Sequence, residues 1–557
     1  MSISSVHTRL LSDFFTSKTA EKAGFVAASG DNARGIGEGG AFTVPDKPLV
    51  TGLEYDSRKV KPGNLYFALP GIHTDGHKYI GDAIKRGASV IIHENELGDY
   101  KAGVVYLRVK DSRFAMSPVA AAFYGFPSRR MTVIGVTGTE GKSTTVYLIW
   151  QLLGLMKKKA GFFSTVQYSL GDEEQRNSEH QTTPEAPAVQ KLLFEMAENG
   201  AEYAVVEASS HGLSKRTNRL GDVDFDAAVM TNVTHEHLEF HGTWEQYRDD
   251  KANLFRALDR PRVQKGSAFL PSDSDCRIAV INADDPSAAF FAGAAKRKTL
   301  DFSVRGLDAA IGVTSIESNA YGNWYEICIR ETGEIIDIRD KLPGAFNAGN
   351  VLAGLLVVST LLGVPVRDIA PLVSCLRPVR GRMTAIENKL GIELLVDYAH
   401  TPSSFEAIFP PLRTRLNKTG GRIISLFGSA GERDTQKRPQ QGRIAAKYSD
   451  IIILTDEDPR GENPMDILEE IAQGFEKKQD RETDPGFETT QWKREENLFL
   501  IPNRPAAIRK ALSLARSGDL ALLLGKGHEN SIIYEGNTID YDEIDEAEKA
   551  LTELETP

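Results

Sequence analysis

The chain has 557 residues, which at about 100–200 residues per domain allows three or four domains, and its 41% hydrophobic and 26% charged residues are an ordinary soluble balance. The net charge of −11 and the lack of a dominant basic tract argue against a general nucleic-acid binder, though not against a local basic pocket for a small anion. The three cysteines (Cys276, Cys328, Cys375) are far apart and odd in number, so they suggest neither a disulfide framework nor a metal cluster and fit a reducing cytoplasm.

Residues 1–18 carry no apolar core of signal-peptide type. The apolar run 351–366 is broken by Gly354, Ser359, Thr360 and Gly363, so it reads as a buried helix with no membrane contact. In the first segment, residues 28–41 are rich in Gly, Asn and Asp and read as a flexible loop or insertion. Strands follow at 65–69 and 88–92, with a helix over 79–86 between them. A second segment opens with the β-branched strand 131–136, a Gly-rich turn and a helix over 142–156. Strands at 203–206, 227–230 and 278–281 alternate with helices, which predicts a parallel sheet, and 311–329 with 335–338 an antiparallel edge. The third segment places strands at 394–396, 422–427, 450–454, 498–501 and 520–524, a second doubly wound pattern, with a polar surface insertion at 480–495. The expectation is an α/β chain of three domains: an N-terminal α/β domain over 1–130, a central P-loop, parallel-sheet domain over 131–377 and a C-terminal Rossmann-like domain over 378–557.

The strand–turn–helix at residues 135–145 is the setting of a phosphate loop. Gly138 and Gly141 let the backbone turn its N–H groups inward, and the helix start adds its positive dipole end. Lys142 can reach terminal phosphate oxygens, and the Ser143 hydroxyl can ligate a phosphate-bound Mg²⁺. Gly135 precedes Gly141 by six positions where the standard motif has five. Glu207 ends the strand 203–206, one strand beyond the loop, where a carboxylate can hold Mg²⁺. His235, His237 and His241 lack zinc spacing and an accompanying cysteine; the reading is one histidine at a Mg²⁺ site or phosphate and two structural. By pattern alone Lys251 is a solvated lysine on an amphipathic helix.

The Thr-Gly-Thr-x-Gly-Lys-Ser loop resembles that of the Mur ligases and folylpolyglutamate synthases. With the further motifs, from about Asp56 to Glu529, the chain resembles the Mur ligases and, within them, the MurE branch of UDP-N-acetylmuramoyl-tripeptide synthetases. The resemblance implies ATP contacts at Gly138, Thr139, Glu140, Gly141, Lys142, Ser143 and Thr144. It adds Asn347 and Asn350 of a Gly-x-Phe-Asn-x-x-Asn segment, Arg382 of Gly-Arg-Met, and Asp397 and His400 of Asp-Tyr-Ala-His, with Asp397 accepting from a ribose hydroxyl. It places Ser57 and Arg58 near the uridine diphosphate, and Thr182, Thr183, Ser209, Ser210 and Arg216 against the muramoyl-dipeptide. Read without the resemblance, Thr182-Thr-Pro is a helix N-cap with an early proline. Glu207 and His237 match magnesium ligands, and Lys251 matches a lysine that becomes carbamylated and helps hold a second Mg²⁺.

Three strand-end loops match the pocket for the incoming amino acid, with Arg433, Asp458, Arg460, Gly525 and Glu529 as its residues. Glu236 stands where the family usually has Asp, and Glu457-Asp458-Pro459-Arg460 where enzymes that add meso-diaminopimelate carry Asp-Asn-Pro-Arg. Arg460 suits a distal carboxylate, whereas Asp458 favours a cationic side chain such as lysine or ornithine, so the two cues conflict.

The resemblance implies an ATP- and Mg²⁺-dependent, amide-forming ligase that adds a diamino acid to UDP-N-acetylmuramoyl-L-alanyl-D-glutamate through an acyl phosphate. Its partners are small molecules, without nucleic acid or membrane, and it acts as a cytoplasmic monomer whose domains close before chemistry. The alternatives are another Mur ligase, a folylpolyglutamate synthase or, in a different class, a regulatory P-loop ATPase. The last would hydrolyse ATP without any amino acid.

Overall fold

The structure is a computed structural model that describes residues 7–29, 48–71, 74–177, 182–234, 238–261, 277–319, 321–476 and 492–555. The expected loop at 28–41 and insertion at 480–495 therefore lie largely outside the described residues, as do His73, His235, Glu236 and His237. Residues 28 and 29, expected in that loop, belong to the strand Phe25–Ser29 instead, where pairing with the 105–109 strand holds them extended. The chain divides into two compact units, residues 1–142 with 153–300, and residues 143–152 with 301–557.

Among the described residues the first unit contains two larger sheets and a short antiparallel pair, Arg9–Leu10 with Leu49–Val50. In the N-terminal sheet the strand order is Phe25–Ser29, Val105–Val109, Val90–His93, Asn64–Phe67, Gly52–Glu54. Only the first pair is antiparallel. The helix Ser112–Phe123 closes one face, its start capped by the Asp111 carboxylate accepting from the Phe114 amide at 2.8 Å.

The second sheet centres on five parallel strands in the order Ala160–Phe163, Tyr203–Glu207, Thr132–Thr137, Ala227–Met230, Ile278–Asn282. A hairpin, Gln167–Ser169 with Glu174–Arg176, extends the first edge. Thr132–Thr137 is buried on both faces, as expected of a β-branched run in the middle of a parallel sheet. Gly135 lies inside this strand, paired with Val206 and Ala228. A Cβ there would come within 2.5 Å of Leu254 and 2.9 Å of Phe225. That glycine is therefore a packing residue, and the phosphate loop proper begins at Gly138. The six-position spacing is explained by a glycine that does not belong to the loop.

In the second unit, Ile311–Asn319, Gly322–Ile329 and Glu334–Arg339 form the expected antiparallel meander. The run expected to be a buried helix is one, Asn347–Leu362, buried along nearly its whole length. No single helix among the described residues is long and apolar enough to cross a membrane.

The C-terminal sheet has the strand order Thr384–Ile386, Glu393–Asp397, Leu520–Leu524, Ile423–Phe427, Ile451–Leu454, Leu498–Leu500. All pairs after the antiparallel first are parallel, and an apolar core lies on each face. Chain order reverses beside the 520–524 strand, so the loops after Asp397, Phe427, Leu454 and Leu524 gather at one edge. The sequence reading lacks the hairpin Ser531–Tyr534 with Asn537–Asp540 and the closing helix Glu543–Glu555.

Candidate active site

In the first unit the phosphate loop is tied to the end of the neighbouring strand. The Thr139 amide donates to the Asn232 carbonyl at 2.8 Å, and the Glu140 amide to the Asn232 side-chain oxygen at 2.8 Å. In return the Thr231 hydroxyl donates to the Glu140 carbonyl at 2.6 Å. The Thr139 hydroxyl accepts from the Thr234 amide at 2.9 Å and lies 3.0 Å from the Tyr247 hydroxyl. The loop is thus held in shape by Thr231, Asn232, Thr234 and Tyr247, and Lys142 folds over it to donate to the Thr139 carbonyl at 2.7 Å. This is a backbone cradle at a helix start, built to hold an anion.

Lys251 is not the solvated lysine of its sequence pattern. It is 1% exposed, donates to the Gly138 carbonyl at 2.5 Å, and sits 4.5 Å from the centre of the Tyr247 ring. A buried ammonium needs such partners, and a carbonyl plus an aromatic face supply them. Its neighbour Asp250 accepts from His241 at 2.8 Å, and the other imidazole nitrogen meets the Ser210 hydroxyl at 3.1 Å. His241 is therefore a buried structural histidine, as expected for two of the three.

Glu207 ends its strand opposite Val136 and is 1% exposed. Its carboxylate accepts from the Thr165 amide at 2.8 Å and the Thr165 hydroxyl at 3.0 Å. Its backbone carbonyl accepts from the Thr183 hydroxyl at 2.9 Å, and that hydroxyl in turn accepts from the Ser209 amide at 3.0 Å. Thr183 is thus no helix cap. The next helix, Ala186–Glu198, begins after Glu185 without a side-chain cap, because the Thr183 hydroxyl is taken up by the 207–209 turn. Thr182 is half-buried beside it. Ser209 caps the short helix Ser210–Leu213 through the Gly212 amide. Arg216 donates to the Phe240 carbonyl at 2.6 Å and stacks over that ring.

In the N-terminal sheet Ser57 and Arg58 lie on a short turn capped by Asp56. Arg58 is highly exposed and bends back onto the Asp56 carboxylate at 2.9 and 2.8 Å, which holds that carboxyl below its usual range.

In the second unit Ser143 is buried and Thr144 half-buried at the start of their helix, and Thr145 donates to Asn350 at 3.1 Å. Asn350 donates to the Asn347 side-chain oxygen at 2.8 Å, and Asn347 to the Pro343 carbonyl at 2.8 Å. Both asparagines are thereby fixed in orientation. Both Asp397 carboxylate oxygens are tied to backbone amides. One oxygen accepts from the Met383 amide and the other from the Ala399 amide, both at 2.7 Å, so it shapes the 380–383 turn. Burial raises its pKa, opposed by Arg382 and the two amides. The Arg382 guanidinium lies 4.6 Å over the Tyr398 ring, and the His400 ring meets the Tyr398 carbonyl at 2.9 Å.

The loops expected to hold the amino acid converge. Asp458 accepts from Lys526 at 2.9 Å and from the Ile533 amide at 3.0 Å, and its other oxygen lies 4.0 Å from Arg460. Lys526, itself buried, also donates to Glu529, which accepts from the Tyr398 hydroxyl at 3.2 Å. Gly525 begins the loop that carries both Lys526 and Glu529. Arg460 has φ of 54° and donates its amide to the Ile533 carbonyl at 2.9 Å. Burial pushes the Glu457 carboxyl up, but Lys437, His400, Lys526 and Arg504 outweigh it, and the net shift is downward. Arg433 is exposed and does not join this cluster.

Several residues escaped the sequence reading. Thr231 and Asn232 follow the strand Ala227–Met230, next to the loop strand, and the strand-end rule that singled out Glu207 could have found them. Arg219, which donates to the Thr183 carbonyl at 2.8 Å and to Glu185 at 2.8 Å, left no local signal. Lys526 lies between Gly525 and Glu529, and the sequence carries no mark of its burial.

Three family models match the chain: Mur ligase family, catalytic domain over 49–124, Mur ligase middle domain over 136–358, and Mur ligase, glutamate ligase domain over 381–527. A UDP-N-acetylmuramyl-tripeptide synthetase of Treponema denticola is 49% identical over 525 residues, covering 91% of this chain and 94% of its own. That of Treponema pallidum is 48% identical, covering 90% and 93%. Among solved structures, a UDP-N-acetylmuramoyl-L-alanyl-D-glutamate–2,6-diaminopimelate ligase superposes with a TM-score of 0.58 at 26% identity, covering 91% of this chain and 96% of that one.

Proposed function

Because the chain belongs to the Mur ligase family, in its UDP-N-acetylmuramyl-tripeptide synthetase branch, we propose that it adds a diamino acid to UDP-N-acetylmuramoyl-L-alanyl-D-glutamate with ATP. The single observation that carries this is identity near one half along 91% of the chain. It favours this branch over other Mur ligases, folylpolyglutamate synthases and a regulatory ATPase.

The D-glutamate carboxylate attacks the γ-phosphorus of ATP. The bond to the β-phosphate oxygen breaks and ADP leaves. The amine of the diamino acid then attacks the acyl carbon, phosphate departs and a proton is lost. The Lys142 ammonium and the amides at the start of its helix neutralise charge spreading over the phosphoryl oxygens. Thr231, Asn232 and Tyr247 hold the loop in shape, with the Thr139 and Glu140 amides committed to Asn232. Thr183, Ser209 and Ser210 stand beside Glu207 to position the dipeptide.

Mg²⁺, when bound, supplies further charge neutralisation. In the first unit Glu207 is a hard oxygen donor whose carboxylate is held in place by Thr165, and that chemistry fits it; His237 lies outside the described residues. As an amine Lys251 is a donor to Gly138, not a metal ligand. Carbamylation would turn it into an oxygen donor of the right charge.

The amino acid is held by the loops carrying Asp458, Arg460, Lys526 and Glu529. Phosphate release measured with the UDP-dipeptide, in separate reactions with meso-diaminopimelate, lysine and ornithine, tests the assignment. Release should require both substrates, and no stimulation by any of the three would overturn it.

A further inference from the structure

The loops that carry Asp458 and Glu529 share one buried support. Arg504, the first residue of the helix Arg504–Leu514, is fully buried. Its Nη1 donates to the Asp456 carbonyl at 2.9 Å, and its Nη2 to the Leu524 carbonyl at 2.7 Å. Asp456 immediately precedes the Glu457–Arg460 loop, and Leu524 immediately precedes the Gly525–Glu529 loop. The charge is met by Glu543 of the closing helix, at 2.8 Å from Nε and 2.6 Å from Nη2. Glu543 is fully buried too and also accepts from the Tyr541 hydroxyl. Above this support the loops are joined by Lys526 and by the Ile533 amide, both bonded to Asp458.

A buried ion pair is a weak way to gain stability, since apolar residues of similar volume often serve as well. What the guanidinium offers is a rigid fork of donors that two backbone carbonyls and one carboxylate can share. The lysine ammonium is a single point and cannot span them. We propose that Arg504 is a positioning residue for the incoming amino acid, fixing the spacing of the two loops that hold it. It rests on the ligase reading above.

The experiment compares wild type with Arg504→Lys and Glu543→Asp in steady-state assays that vary each substrate in turn, alongside thermal unfolding. Arg504→Lys should raise KM for the amino acid on the order of tenfold, with KM for ATP and UDP-dipeptide within about twofold. Glu543→Asp keeps the ion pair but draws the guanidinium back by one methylene. It should shift the same KM in the same direction, by about threefold. A variant that only lowers the unfolding temperature, or that shifts all three KM values together, overturns the proposal. So does failure of both variants to fold, because the role would then be inseparable from stability. If wild type itself shows no release that depends on the amino acid, it is the ligase reading that fails.

Discussion

Replacing Gly138 with alanine tests the phosphate cradle at its tightest point. A Cβ on residue 138 would lie 1.8 Å from the Thr231 hydroxyl oxygen, 3.1 Å from the Thr231 Cβ and 3.2 Å from the Asn232 amide nitrogen. Two of these are backbone or branch atoms that cannot rotate away. The hydroxyl must therefore turn, breaking its 2.6 Å bond to the Glu140 carbonyl, or the loop must move. Overpacking of this kind costs about 1–3 kcal/mol, and a lost buried hydrogen bond about 1 kcal/mol. Together they amount to about 2–4 kcal/mol, all of it at the loop that receives the phosphates. ATP affinity should fall by about 30- to 1,000-fold. Titration calorimetry with ATP gives the affinity, and circular dichroism confirms that the sheet survives. The double variant Gly138→Ala/Thr231→Ala removes the offending oxygen and should recover part of the loss. An ATP affinity within threefold of wild type for Gly138→Ala, or strictly additive losses in the double variant, would refute the steric argument.

Two other outcomes follow from buried ionisable groups. Burial pushes the Asp456 carboxyl from 3.8 to about 6, against the pull of the Tyr534 hydroxyl and Arg504. The folded state thus holds this proton more tightly than the unfolded chain, so Asp456 makes stability fall as pH rises from about 4 to about 6. Asp456→Asn should lack that slope and gain stability relative to wild type above pH 6; denaturant midpoints at pH 4.5 and 7.5 that move in parallel would contradict it. If Lys251 acts as a carbamate, enzyme freed of dissolved CO₂ should lose activity and regain it with bicarbonate, and Lys251→Ala should lower kcat by about 100-fold. Full activity in CO₂-free buffer would remove carbamylation from the mechanism.

Parallel strands were readable because they are short continuous apolar runs: Ala227–Met230 and Leu520–Leu524 fall where the sequence puts them. The phosphate loop was equally legible, since Gly, Lys and Ser at a strand–helix junction carry their chemistry locally. Residues whose role depends on a distant partner were not. Lys251 reads as solvent-facing because nothing in its own helix announces the Gly138 carbonyl, 113 positions away. Asp397 looks like a strand-end acid facing solvent, and only the fold reveals that its oxygens also hold the Met383 and Ala399 amides. Arg504 and Glu543 are 39 positions apart and each resembles an ordinary helical surface charge. The Gly135 spacing was visible as an irregularity, but its cause, Leu254 and Phe225 pressed against the strand, needed three dimensions.

The Arg504–Glu543 pair also sets an order of events during synthesis. Glu543 is translated after Asp456, Arg504 and Leu524, so the guanidinium has no counter-charge while those three emerge. A nascent chain halted before residue 543 should carry its strands yet leave the 456–460 and 525–529 loops unfixed, because an unpaired arginine resists burial. Release of the helix Glu543–Glu555 from the ribosome is then the moment at which the proposed amino-acid pocket acquires its shape.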